Sequence, residues 1–447
     1  MKDEVDVEVR GIGAGGSGVA DLPDGRVVFV PRTTEGDRAR IKIERSRPRW
    51  AKGSLVKLLD PAPSRVEPSC EKYTECGGCQ LQHVAYEEQL AWKGRFVADA
   101  LMRIGGLEDV SFPEVSPSPS RLRYRNRVSF TLRRLRQGHV VAGFHALHRP
   151  AHVVDIQSEC LLPHESLTEA WVGLRAGWGK KAELLPSAGR LRMTLGLSGE
   201  YGDEVDLLVE GGRPGWDAEM LVQSVGILSA IWHRPSGDGV KLEDGGGIDL
   251  VGGRRAGALV PTFGQVNDEV AELLRAHVVE RCFAAISSRE RPDLPPGPVI
   301  DAYSGLGAYG LALASKGLSV TGIESNLDAV AQARASTVTE MAEGVSDFGR
   351  FEIREGLVEE LLPVLLPAEL LLLNPPRSGL HEDVPTQILA EPPKRILYVS
   401  CDPATLARDV KRLNGQYALD GLRAFDLFPQ TAHVEAVAEL RLTGVSG

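Results

Sequence analysis

Residues 299–307 read VIDAYSGLG, and this stretch decides the fold. Val299, Ile300 and Ala302 begin a short apolar strand, residues 303–307 form a glycine-rich turn, and a helix follows. Such a turn lies at the carboxyl edge of a sheet, where Gly305 and Gly307 let a ligand come close to the backbone. A second strand, residues 319–323, ends in Glu324. A carboxylate at that tip can accept both hydroxyls of a ribose. S-adenosylmethionine and a nicotinamide dinucleotide satisfy these features equally. GLGAYG completes a G-x-G-x-x-G fingerprint only if Gly310 serves as the third glycine, so the turn predicts a nucleotide-type cofactor without choosing one.

The same texture runs from residue 259 to 447. LSVTGIESNLDAVAQARAS, ELLLLNPPR and RILYVSCDPATLARDVKRL alternate buried strands with helices, the pattern of a mostly parallel, doubly wound sheet. Two strand ends carry chemistry. LLLLNPPRSGL (370–380) closes an apolar strand with Asn374-Pro375-Pro376-Arg377. In one large class of methyltransferases an Asn-Pro-Pro-aromatic turn holds an exocyclic amine, and here Arg377 stands in the aromatic place. YVSCDPATLARD (398–409) sets Cys401 just past a strand, on the edge where the cofactor is expected. A lone cysteine there is more often a packing residue, but the thiolate is also a strong nucleophile. Its company favours chemistry: Asn374 precedes it at the end of another strand, and FPQTAHVEAVAEL (428–440) follows it and supplies Glu435.

Together these stretches resemble the RNA uracil-C5 methyltransferase family. FGQVN (263–267), DAYSGLG, Glu324, NPPRSGL, YVSCDPATLARD and FPQTAHVEAV follow that family's order between positions 263 and 437. The resemblance implies an α/β fold with a Rossmann-like class I methyltransferase domain. It makes Cys401 the thiolate that adds to uracil C6 and Glu435 the base that removes the C5 proton. It places Gln265, Tyr303, Glu324 and Asn374 around S-adenosylmethionine. The chemistry needs such a set, because uracil C5 is a poor nucleophile until a thiolate at C6 makes it enolate-like. Two positions depart from the family: Asn374 replaces its usual Asp, and Asp402 replaces the usual Asn after the nucleophile. The exchange conserves charge, which suggests neighbouring, compensating positions. Ala308 follows Gly307 where a polar residue is usual, and the acid expected just after Gly356 is lacking.

Cys70, Cys76 and Cys79 form C-x5-C-G-G-C, with Cys160 a candidate fourth ligand. Spacing alone leaves structural zinc and an iron–sulfur centre open. The resemblance implies a [4Fe-4S] cluster, because the cluster-bearing branch of the family has this pattern. That branch also has an N-terminal TRAM domain. Residues 1–62 fit one: VDVEVRG, RVVFV, RIKIE and SLVKLL alternate in short runs between turns, as in a small OB-like β-barrel. PAPSRVEPS (61–69) reads as a linker. Residues 63–258 read as a β-rich central domain, GGGIDLVGGRR (245–255) as its boundary hairpin, and 85–107 as an amphipathic helix able to pack on the catalytic domain.

The net charge is -10, yet residues 31–57 hold nine Lys/Arg against three acids and 121–136 hold seven arginines and no acid. Such patches can meet phosphates on an otherwise acidic protein. An RNA partner is expected, 23S ribosomal RNA first and tRNA second, with no obligate protein partner. MKDEVDVEVRG lacks a signal-peptide core, and no stretch is suited to a bilayer, so a cytoplasmic protein is expected. Two other classes stay open. An exocyclic-amine methyltransferase would use Asn374 and need no cysteine, and a non-catalytic RNA-binding relative would transfer no methyl group.

Overall fold

The computed structural model describes residues 4–198, 202, 204–236, 248–251, 264–287, 297–342 and 349–444. Strands β1 (Glu4–Ile12), β2 (Ser17–Asp21), β3 (Val27–Pro31), β4 (Arg38–Ser46) and β5 (Trp50–Asp60) close into a barrel in the order β1-β2-β3-β5-β4. Alternation builds it: Val7, Ala20, Val28, Val30, Ala39 and Ile41 fill the interior, while Arg38, Arg40 and Lys42 on β4 face outward. The expected linker is no slack tether. Asp37, fully buried, accepts the Ala62 N–H at 2.9 Å and pairs with Arg65 at 2.6 Å.

Helix α1 (Tyr86–Arg103) follows, and the two-residue strand β6 (Val115–Ser116). Strands β7 (Arg127–Arg134), β8 (Val140–His145) and β9 (Val153–Asp155), helix α2 (Glu165–Gly177), strands β10 (Arg190–Ser198) and β11 (Glu204–Glu210), helix α3 (Glu219–Val225), and strands β12 (Ala230–Arg234) and β13 (Ile248–Val251) build the central region. Its sheet runs β13-β12-β11-β10-β7-β8-β9. The strand-only reading missed α2, although Leu167, Ala170, Trp171 and Leu174 form a helical stripe buried against this sheet. Within this β-rich region α3 ends at Val225 and β12 starts at Ala230. Of the boundary hairpin only residues 248–251 are described, and the boundary at 258 lies outside the described residues.

The arginine run in this region looks inward more than the sequence suggested. Arg134 donates to the Lys181, Pro186, Ala182 and Ala188 carbonyls. Arg123 reaches the Cys160 and Pro163 carbonyls and Thr168. Arg133 reaches the Ala151 carbonyl, and Arg121 pairs with Glu87. Arg123, Arg133 and Arg134 thus spend donors on loop carbonyls, whereas Arg121 pairs with an exposed carboxylate.

The last region comprises α4 (Asp268–Ser287), β14 (Val299–Ala302), α5 (Ala308–Ala314), β15 (Ser319–Glu324), α6 (Leu327–Ala342), β16 (Arg350–Glu355), α7 (Val358–Leu361), β17 (Leu370–Leu373), α8 (Asp383–Ala390), β18 (Arg395–Ser400), α9 (Pro403–Leu413), β19 (Tyr417–Phe425) and β20 (Glu435–Leu442). Its sheet runs β16-β15-β14-β17-β18-β20-β19-β6. Pairing is parallel from β16 to β18, and β20 is inserted antiparallel between β18 and β19. Helices cover both faces, so β17 is four leucines with no exposure, each worth about 1.5–3 kcal/mol of burial. The chain order reverses between β14 and β17, the position at which open α/β sheets bind ligands beyond the strands' carboxyl ends. Although they precede the central sheet in sequence, α1 and β6 join this layer: Val97 and Leu101 enter its core, α1 packs on α9, and β6 pairs with β19.

Candidate active site

The turn after β14 is held from below by two carboxylates. Asp301, fully buried, accepts from Ser304 Oγ at 2.9 Å and Gly310 N at 3.1 Å. Burial pushes its carboxyl up to about 7, against the pull of those hydrogen bonds. Glu324, at the tip of β15, accepts from Gly305 N at 2.9 Å and Asn326 N at 2.8 Å. Each of its oxygens keeps a lone pair for a further donor, so this donor set fits a ribose. Tyr303 sits at φ 60° and Gly307 at φ 77°. A Cβ on Gly307 would come within 2.7 Å of the Phe351 ring, so only glycine lets the turn lie this close to β16. The Tyr303 hydroxyl is buried without a hydrogen-bond partner among the described residues. Asn374 begins the loop after β17, and its N–H donates to the Ala302 carbonyl at 3.2 Å. Gln265 lies before α4, its carbonyl held by Asn126 Nδ2 at 2.9 Å. Phe263 of the FGQVN stretch lies outside the described residues.

The antiparallel pairing of β18 with β20 sets the other side of the site. Ser400 pairs with Ala436, so the next step along the ladder brings Cys401 across from Glu435, although the two are far apart in sequence. Cys401 is half-buried. Burial, then the Glu435 charge, raise its thiol above the usual value, and Arg377 pulls it down. Glu435 is 2% exposed, and its Oε2 has no hydrogen-bond partner among the described residues. Burial pushes it up to about 8, with Arg377 opposing. Arg377 thus serves both groups electrostatically, a role at which the sequence hinted only through the missing aromatic.

The loop carrying Arg377 is laid across α9. Thr405 Oγ1 donates to the Arg377 carbonyl at 3.1 Å and Arg408 Nη2 to the Ser378 carbonyl at 2.8 Å. Asp409, fully buried, accepts from Leu380 N at 2.9 Å and Tyr398 Oη at 2.8 Å. The Thr-Leu-Ala-Arg-Asp run after the cysteine is therefore a brace for the NPPR turn, which sequence reasoning passed over. Asp402 caps α9, accepting Thr405 N at 2.8 Å with Pro403 in the first turn. Asn374 and Asp402 follow adjacent strands, β17 and β18. Asn267, which closes the FGQVN stretch, is buried, accepts from Val270 N at 3.3 Å and donates to Ser118 Oγ at 3.0 Å, joining α4 to the segment before β7.

Cys70, Cys76, Cys79 and Cys160 line one cavity, with Arg125 and Phe144 among its other walls. Its volume of about 90 Å³ would hold several waters. Burial raises all four thiols, Cys79 to about 11 and Cys160 to about 12. Arg32, from the barrel, donates to the Cys79 carbonyl at 2.6 Å and the Cys76 carbonyl at 2.7 Å. Cys282 is instead a core residue on α4. Among the described residues, no three Cys, His, Asp or Glu side chains are gathered so as to hold one metal ion, and no helix is long and apolar enough to cross a membrane.

Sheet order, glycine turn and strand-tip carboxylate define a class I methyltransferase domain, here joined to an N-terminal TRAM barrel whose family profile matches residues 3–56. The profile of the tRNA (uracil-5-)-methyltransferase family matches residues 263–442. An RNA methyltransferase of Synechocystis is 32% identical over 98% of this chain and 95% of its own length. One of Halalkalibacterium halodurans is 30% identical over 98% and 97%. The crystal structure of the Pyrococcus abyssi tRNA (uracil-54, C5)-methyltransferase with S-adenosyl-L-homocysteine superposes with a TM-score of 0.69, at 26% identity, covering 98% of this chain and all of that one. The chain belongs to the RNA uracil-C5 methyltransferase family, whose methyl donor is S-adenosylmethionine.

Proposed function

We propose that this protein methylates C5 of a uridine in structured RNA through a covalent bond between Cys401 and uracil C6. The observation that supports this most is the β18–β20 register, which sets Cys401 opposite Glu435 with Arg377 beside both. The Cys401 thiolate adds to C6, and the electron pair of the C5–C6 double bond moves towards C5 and O4. C5 then takes the methyl group that S-adenosylmethionine supplies. Glu435 removes the C5 proton, the double bond re-forms, and Cys401 leaves as thiolate. While both are free, each negative charge opposes the other. Gln265, Tyr303, Glu324 and Asn374 are read as the cofactor's contacts, and the target base must leave its stack to reach Cys401.

The first substrate in this reading is 23S ribosomal RNA. The tRNA reading is favoured by the full-length likeness to the Pyrococcus abyssi enzyme. RNA containing 5-fluorouridine decides both mechanism and substrate, since fluorine at C5 leaves no proton for the base to remove. We expect a denaturant-resistant complex with labelled methyl that Cys401→Ala abolishes, and the RNA that traps names the substrate. Methyl transfer by Cys401→Ala would instead mark an exocyclic-amine enzyme, and no transfer by the wild type a non-catalytic relative.

The four cavity cysteines are read as ligands of a [4Fe-4S] cluster bracing the central region. Their shared cavity has room beyond a single ion, which favours a cluster over zinc. Iron and sulfide content with the visible absorbance of anaerobically purified protein tests this, and stoichiometric zinc would refute it.

A further inference from the structure

The cysteine loop does more than line a cavity. Immediately after Cys79, the N–H groups of Gln80 and Leu81 both donate to the Gln430 carbonyl, at 3.1 and 2.9 Å. Gln430 sits at φ 70°, in the left-handed region that a side chain rarely adopts. The Gln80 side chain accepts from Ala432 N at 3.3 Å and donates to the Gly77 carbonyl at 2.7 Å, so it bridges the cysteine loop to the residues just before Glu435. From the other side, Gln89 on α1 accepts from Gln430 N at 3.1 Å. An apolar cluster of Ile12, Leu81, Val84, Trp92, Phe96 and Ala432 joins barrel, cysteine loop, α1 and this segment. Cys79 therefore stands between two grips: Arg32 of the barrel holds its carbonyl, and the next two amides hold residue 430.

We propose that the cysteine loop, acting through Gln80, positions the segment 429–434 and with it the base Glu435. Gln80 is a positioning residue for proton removal at C5. Residues 429–434 lack helix or strand of their own, so contacts from outside fix their course. A base displaced by a fraction of an ångström loses much of its rate, whereas nucleophilic addition by Cys401 from the other strand is unaffected. The inference rests on the reading of Glu435 as the base.

The test separates the two steps. In Gln80→Ala, trapping on 5-fluorouridine RNA proceeds at the wild-type rate, because it needs no proton removal. Turnover on ordinary RNA falls about 10- to 100-fold, and a methylated covalent adduct accumulates. Gln80→Glu keeps an acceptor for Ala432 N–H and recovers part of the turnover. Hydrogen exchange gives an activity-independent readout: in Cys79→Ser, amides of 429–434 lose protection while the barrel interior keeps it. Equal losses of trapping and turnover, unchanged turnover in Gln80→Ala, or unchanged exchange at 429–434 in Cys79→Ser would each overturn the proposal. Normal turnover by Glu435→Gln would overturn the base assignment instead, leaving exchange to decide whether the cysteine loop holds this segment.

Discussion

Glu324 and Glu435 are both glutamates at strand ends of one sheet, yet their surroundings are opposite, as the roles proposed for them would need. Glu324 accepts two backbone N–H groups, one from the glycine turn and one from the next helix's entry. Both oxygens are committed to holding structure and keep lone pairs for a ligand. Glu435 is buried with an oxygen that finds no partner among the described residues. Glu324 is satisfied in advance, as the proposed binding role needs, whereas Glu435 is left under-satisfied, which raises its proton affinity as the proposed base needs.

The largest expected effect follows from that contrast. Glu435→Gln should lower turnover by about 10²–10⁴ while the covalent complex with 5-fluorouridine RNA still forms. Stability should move the other way. The Glu435 carboxyl is raised from 4.5 to about 8, so the folded state favours its proton. Its stabilising contribution is full below the unfolded value and is lost as pH rises from there through about 8. Glu435→Gln should therefore flatten that loss, with urea midpoints rising relative to wild type at pH 8 and matching it near pH 4. An identical pH dependence in the two proteins would break the contrast.

Glu324→Gln should act on binding instead. One backbone N–H would face an amide NH2, leaving a donor unsatisfied at a cost of about 1–3 kcal/mol. Calorimetry with S-adenosylhomocysteine should show affinity weakened about 10- to 100-fold, with turnover at saturating cofactor close to wild type. A loss of turnover as deep as that of Glu435→Gln would mean that the two glutamates do not divide the work this way.

How much of this was legible in the sequence differs between the halves for a physical reason. The cofactor side is local: strand, turn, helix and acid lie within residues 299–324, and backbone rules read them directly. The barrel was equally legible, because period-two alternation is a local signal in β1 to β5. The reacting side depends on the register of β18 with β20, which no local pattern states, and only family resemblance joined Cys401 to Glu435. Arg377 and Asp409 stayed hidden because their partners lie on other elements. The arginines of 121–136 show the reverse failure: composition suggested an open basic face, but Arg123 and Arg134 face carbonyls of loops far along the chain.

The smallest expected effect concerns Asp402, half of the Asp/Asn exchange. Its side chain is already engaged as the N-cap of α9, and Asn caps about as well as Asp, so Asp402→Asn should change stability by no more than about 0.5 kcal/mol. What changes is charge beside Cys401, because Asp402 adds to the forces raising that thiol. Alkylation of Cys401 by iodoacetamide, followed by peptide mass spectrometry against pH, should shift to lower pH in Asp402→Asn. It should shift further in Glu435→Gln, because the Glu435 charge acts more strongly on the thiol. If the exchange is compensatory, Asn374→Asp should move the profile back, with a double-mutant coupling beyond additivity. Additive shifts would mean that adjacent strands carry the two residues without any exchange of function between them.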